Sequence, residues 1–209
     1  MKMRITTGSI SFLCFAAALF ILAAASLSWA ESGAFAGSIY DPGRLKPTDS
    51  VSVVKVGDRA PDFDLLSVTG ERVSLSSFKG TKNVVISFVP AAWTPVCSDQ
   101  WPGYNAFKEI FDGHDAILLG ITVDNIPTLF AWTHEMDPAA GRVWFPVLSD
   151  FWPHGETAAR YGVLRSNGTS ERALFVIDKK GIIRWIDVHD INKRPNIEDL
   201  VRELDKLAD

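Results

Sequence analysis

Cysteine is scarce in this 209-residue chain, which holds only Cys14 and Cys97. No C-x-x-C pair exists, because Gln100 stands three residues after Cys97; a dithiol redox site of that kind is disfavoured. The four histidines (His114, His134, His154, His189) lack metal-ligand spacing. Basic blocks and basic stripes are missing too, so nucleic acid is not an expected partner. There is no internal repeat and no low-complexity segment. The chain is long enough for one domain with a sizeable core.

The N-terminus has its own character. Lys2 and Arg4 precede an apolar run from about Ile10 to Leu27, and small-residue exits follow at Ser28-Trp29-Ala30 and Ala34-Phe35-Ala36. This is the layout of a secretory signal peptide over residues 1–30. The run also approaches the roughly 18–20 residues of an uncleaved membrane anchor. Either way the expectation is export, to the periplasm or outside the cell. Net charge is −4; without the first 30 residues, 19 bases face 25 acids, or −6. Cys14 sits early in the apolar run and reads as an apolar filler. If the leader is removed, one cysteine remains and no internal disulfide is available. Residues 31–52 carry Gly, Pro and Ser without period and read as a linker, which leaves 53–209 as the domain.

Strand and helix signals then alternate. Phe63–Leu66 and Arg72–Leu75 flank Thr69-Gly70 and predict an N-terminal hairpin with the first segment at the sheet edge. Asn83–Val89 and Ala116–Val123 are continuous apolar runs expected to be buried strands, the second parallel. Pro127–Met136 predicts a helix with proline in its first turn, and Trp132 in the core. Trp144–Leu148 predicts a short strand. Ser149–Val163 predicts a loop and a short helix; His154, beside Pro153 and Gly155, reads as a turn residue. Glu171–Asp178 and Ile182–Val188 predict a hairpin turning at Gly181. Asn196–Leu207 is an amphipathic helix with Asn196 as its cap. The alternation argues for an α/β sheet covered on both faces.

The chemistry concentrates in Phe88–Gln100, FVPAAWTPVCSDQ. A buried strand ends, Pro90 and Pro95 punctuate a loop, and apolar residues at helical spacing follow (Cys97, Trp101, Tyr104, Phe107, Phe111). Cys97 therefore falls in the first turn of a helix, where unpaired N–H groups and the helix dipole favour a thiolate. Thr94 precedes it, with a hydroxyl placed to hold a ligand over the sulfur, and Pro90 and Trp93 are expected to wall it from water. A lone cysteine among apolar neighbours is also a small buried hydrophobe, and position alone does not separate these readings. Pro102-Gly103 predicts an interruption, with the first helical piece ending near Trp101 and a second running from Tyr104 to about Phe111.

Pro90, Thr94 and Cys97 reproduce the Pro-x-x-x-Thr-x-x-Cys motif, and the chain resembles the peroxiredoxins of the alkyl hydroperoxide reductase / thiol-specific antioxidant family. The Ala60-Pro61-Asp62-Phe63 phrase, Ser149-Asp150-Phe151-Trp152-Pro153-His154-Gly155 and Arg172 before its Phe-Val-Ile-Asp strand follow in the family's order; the second phrase is similar to that of one-cysteine, alkyl-hydroperoxide-reductase-E-like members. The resemblance spans roughly Val56–Val188. It implies a thioredoxin-like fold, a central mixed sheet with helices on both faces. It implies that Cys97, Thr94, Pro90 and Arg172 form the catalytic site, with Arg172 reaching the sulfur, although a surface arginine paired with Glu171 is the alternative. It further implies a peroxide substrate, an external thiol or thioredoxin-like reductant, no cofactor and no metal, and dimers are common in such families. Gln100 stands where many members have glutamate. The competing functions are an exported thiol–disulfide oxidoreductase and a non-catalytic redox sensor on the same fold.

Overall fold

The computed structural model describes residues 39–136 and 143–207. The expected signal peptide, Cys14 and residues 31–38 of the expected linker lie outside them. No helix of the described residues is long and apolar enough to cross a membrane.

The centre is β3 (Asn83–Phe88), whose six residues are all buried, as an uninterrupted apolar strand requires. β4 (Ala116–Thr122) lies parallel to it on one side and β6 (Arg172–Ile177) antiparallel on the other. Outside β4 come β5 (Val147–Ser149), β1 (Asp64–Ser67) and β2 (Arg72–Ser74); outside β6 comes β7 (Ile183–His189). The result is a mixed seven-stranded sheet in the order β2-β1-β5-β4-β3-β6-β7.

Both faces of the sheet are covered. Val84, Ile86 and Phe88 of β3, with Leu119, Ile121, Phe175 and Ile177, share a core with Ala158 from α4 (Glu156–Arg160) and Tyr161. Ser87 points to the opposite face, where α1 (Pro95–Gly103) brings Gln100 and Trp101 onto its hydroxyl. This division is the period-2 alternation of a strand. Two more helices carry side-chain caps. Asn125 accepts from the Thr128 N–H at the start of α3 (Ile126–Glu135), and Asn196 from the Glu198 N–H at the start of α5 (Ile197–Asp205), which buries Leu200 and Leu204.

Several expectations need correction. β1 is not an edge: it pairs with β2 on one side and β5 on the other, so β2 takes the edge. The short strand begins at Val147 instead of Trp144, because the rings of Trp144 and Phe145 turn to pack on Phe111 and Trp101. The helix that carries Cys97 does not stop at Trp101. It runs through Pro102 to Gly103, then tightens into a 3₁₀ turn over Tyr104–Phe107 before α2 (Lys108–Gly113). Pro102 lies one residue from the end of α1, so the missing N–H weakens only the final turn. Finally, residues 39–52 are not a loose linker. Their backbone is tied down by Asn192, Ile191 and Glu171.

Gly120 of β4 is where α1 meets the sheet: a Cβ there would sit 2.7 Å from Trp101 Cζ2 and 3.0 Å from Phe145 Cε2. Both rings are wedged among other aromatics. Gly120→Ala is therefore expected to lower unfolding free energy by about 1–3 kcal/mol through overpacking, read by urea denaturation. A change below the error of that measurement would show that the helix slides freely on the sheet.

Candidate active site

Thr94 holds extended backbone angles and starts α1 as its N-cap, and Pro95 fills the first helical position without leaving a donor unused. Cys97 is thus the third helical residue. Thr94 does not cap with its side chain; its hydroxyl donates to the Ala91 carbonyl at 3.0 Å. The loop before it is fixed from just beyond β4, where Asp124 accepts from the Ala92 N–H at 2.8 Å and from the Thr122 hydroxyl. Trp93 takes a positive φ of 60° within that loop.

The Cys97 side chain is fully buried. Arg172 is buried beside it, with Nη2 3.5 Å from Sγ. The same guanidinium donates to the Ile191 carbonyl from Nε (3.2 Å) and Nη2 (3.1 Å), and from Nη1 to the Gln100 Oε1. Gln100 is held in turn. Its amide nitrogen donates to the Tyr104 hydroxyl at 2.8 Å and to Ser87 Oγ at 3.3 Å. Burial pushes the Tyr104 phenol above its ordinary range, against the opposing pull of its Gln100 and Ser87 hydrogen bonds; it stays neutral. Trp132, expected in the core, is fully buried and also donates to Ser98 Oγ at 2.9 Å, bracing the residue after the cysteine.

The alternative pairing of Arg172 with Glu171 does not occur. Glu171 binds Arg165 instead, because adjacent side chains of extended backbone leave on opposite sides. His154 is exposed, with φ 42° and its N–H on the Phe151 carbonyl, and it is absent from the cleft next to Cys97. That cleft, of about 420 Å³, is lined by Pro90, Thr94, Pro95, Val96 and Arg172 and, opposite them, by residues 41–45 and 190–193. Pro90, Thr94 and Arg172 thus share one cleft, and Arg172 links it to the buried sulfur. Among the described residues no group of three or more His, Cys, Asp or Glu is placed to hold a metal ion.

Residues 56–186 match the family model described as AhpC/TSA. The chain belongs to the AhpC/TSA family. It is 35% identical over 137 residues to alkyl hydroperoxide reductase E of Mycobacterium tuberculosis, covering 65% of this chain and 86% of that protein. It is 32% identical over 157 residues to a putative peroxiredoxin in the rubredoxin operon of Clostridium pasteurianum, covering 71% and 86%. Among solved structures, the mitochondrial 2-Cys peroxiredoxin of Plasmodium falciparum superposes with a TM-score of 0.65 at 31% identity, covering 73% of this chain and 93% of that one. The chain is a peroxiredoxin with a thioredoxin-like fold.

In this peroxiredoxin, Gln100, Ile191 and Asp124 are site residues that the sequence reading passed over as such. Gln100 carried a signal: it lies three residues after Cys97, on the same helix face. Ile191 acts through its carbonyl, which any residue supplies. Gln100→Leu removes the acceptor from a buried guanidinium donor. It is expected to cost about 1–3 kcal/mol of stability by chemical denaturation, whereas Gln100→Glu keeps an acceptor and should cost less. Equal losses would mean that the contact with Arg172 is not what Gln100 contributes.

Proposed function

We propose that this peroxiredoxin is a one-cysteine thiol peroxidase for hydrogen peroxide or organic hydroperoxides. The observation that carries the reading is the guanidinium of Arg172 against Cys97 Sγ at a helix start, with no carboxylate among its hydrogen-bond partners. The AhpC/TSA membership and the relatives' names supply the oxidant class. In this scheme the Cys97 thiolate attacks one peroxide oxygen in line with the O–O bond. A sulfur–oxygen bond forms, the O–O bond breaks, and the departing oxygen leaves with the electron pair and takes a proton to become water or an alcohol. Arg172, the Thr94 hydroxyl and backbone N–H groups at the start of α1 stabilise the charge moving onto that oxygen. Pro90 shields the sulfur. Cys97 is left as a sulfenic acid.

From residue 15 to residue 209 Cys97 is the only cysteine. The sulfenic acid is therefore reduced by an outside thiol, which forms a mixed disulfide and releases water; a second thiol or thioredoxin-like reductant regenerates Cys97. Several relatives carry two-cysteine names, and this chain departs from that pattern. A C-x-x-C exchange mechanism is disfavoured because its second position is Gln100, which is engaged with Arg172. The leader-like N-terminus adds that the protein works in an exported compartment, which N-terminal sequencing of the protein from fractionated cells checks.

One equivalent of peroxide with a sulfenic-acid trap is expected to place the adduct on Cys97 by mass spectrometry, and Cys97→Ser should abolish peroxide consumption. Arg172→Lys should lower the second-order rate constant by roughly 10²–10³, the usual cost of one charge-stabilising donor. Parent-like peroxide consumption by Cys97→Ser would end the assignment.

A further inference from the structure

We propose that residues 39–50 form a strap that gates Cys97, clasped by Asn192, and that the strap sets the size of reagent that reaches the sulfur. The inference rests on the reading of Cys97 as the reactive group, and extends it to what controls access.

The sulfur has no solvent exposure. The cleft that Arg172 shares with Pro90 and Thr94 is also lined by strap residues Asp41–Leu45. A reagent that comes through this cleft therefore passes beside the strap. Yet no residue from 39 to 50 is buried, and Tyr40 is 71% exposed. Only Ile39, Pro42 and Leu45 among its apolar residues are even partly buried, so the segment is held mainly by polar contacts, the mark of a region that opens locally.

Those contacts fall in three places. Toward its N-terminal side, the Tyr40 N–H donates to the Trp93 carbonyl at 2.8 Å, in the loop that carries Cys97. In the middle, Asn192 holds Leu45 from both sides: Leu45 N–H to Oδ1 at 2.8 Å, and Nδ2 to the Leu45 carbonyl at 2.9 Å. Beyond it, Arg165 donates to the Lys46 carbonyl, Glu171 accepts from the Asp49 and Ser50 N–H groups, and Asp49 accepts from Ser166. This last clamp is incomplete. Ser50 Oγ and Arg165 Nε are buried there without a partner among the described residues. Opening hydrates both and recovers part of the cost of breaking the other bonds.

The root, by contrast, is fixed. Gly162, at φ +70°, lets the strap backbone approach so closely that a Cβ would stand 2.2 Å from Val53 N and 2.7 Å from Ser52 Cα. A seated root, a polar clasp and an exposed surface describe a cover that can lift. The cover also touches the chemistry: the Ile191 N–H donates to the strap's Pro47 carbonyl at 3.0 Å, while the Ile191 carbonyl receives Arg172.

The test uses the full chain and two variants. Asn192→Ala undoes the clasp. Asp49→Ala loosens the strap from outside the cleft, and reports if Asn192→Ala fails to fold. Alkylation of Cys97 is followed by peptide-resolved mass spectrometry with iodoacetamide as the small reagent and N-ethylmaleimide as the large one. In both variants the maleimide rate is expected to rise about tenfold, equivalent to about 1.4 kcal/mol in the opening equilibrium, and the iodoacetamide rate by clearly less. The ratio of cumene hydroperoxide to hydrogen peroxide reactivity should rise in the same variants. Unchanged alkylation, or equal factors for both reagents, overturns the gate even if peroxide is consumed. A size-dependent rise in a protein that consumes neither peroxide keeps the gate and removes the peroxidase reading.

Discussion

A single buried guanidinium governs this molecule. Arg172 keeps its charge under any ordinary condition, and a charge taken out of water must find close partners or cost several kcal/mol. It finds them on two separated parts of the chain: Gln100 and Cys97 on α1, and the Ile191 carbonyl after β7. Breaking any of these leaves a donor unpaired in a dry site, so the guanidinium ties the helix start to the far end of the hairpin. The second layer serves the same end. Ser87 and the neutral Tyr104 phenol hold Gln100 in the orientation that offers its oxygen, not its nitrogen, to Arg172.

The sheet makes that meeting possible between residues 75 positions apart. β3 and β6 run antiparallel in a register that pairs Phe88 with Ala173. The C-terminal end of β3, which delivers the cysteine loop, therefore lies beside the N-terminal end of β6, which delivers Arg172. Ser170 secures the junction by donating to the Val89 carbonyl at 2.8 Å. Because strand side chains alternate, a slip of one residue would send Arg172 to the opposite face. The full burial of both strands forbids that slip.

The sequence revealed those parts of the site whose chemistry depends on side-chain type. An apolar β-branched run, two prolines and helical spacing locate Cys97; the hairpin signal around Gly181 locates the strand that Arg172 opens, and the family resemblance implies that this arginine reaches the sulfur. What stayed hidden works through the main chain or through competition between elements. Ile191 is recruited for its carbonyl, and residues 39–52 are tied mostly by backbone N–H and C=O groups, so a polar, aperiodic stretch looks like a linker although it is fastened. β1 looked like an edge because its pairing with β5 depends on a strand eighty residues away in sequence, which no local pattern announces. Pro102 suggested an early helix end, but the aromatic packing of Trp101 against Trp132 and Phe145 outweighs one lost hydrogen bond.

Two neighbouring residues show why the site is electrically unfinished. Glu171 and Arg172 are both buried, and they leave the chain on opposite sides. Glu171 meets Arg165, and the two charges cancel while their remaining atoms hold the strap. Arg172 meets an amide, a carbonyl and a sulfur, all of them neutral unless the sulfur is ionised. A carboxylate at position 100 would have offset part of the guanidinium charge. With glutamine there, the uncompensated positive charge is directed at Sγ, and at any oxygen that takes on negative charge next to it. In a dry site such an imbalance acts over a short distance with little screening. A neutral amide at this position therefore concentrates the electrostatic pull on Cys97 Sγ and whatever approaches it.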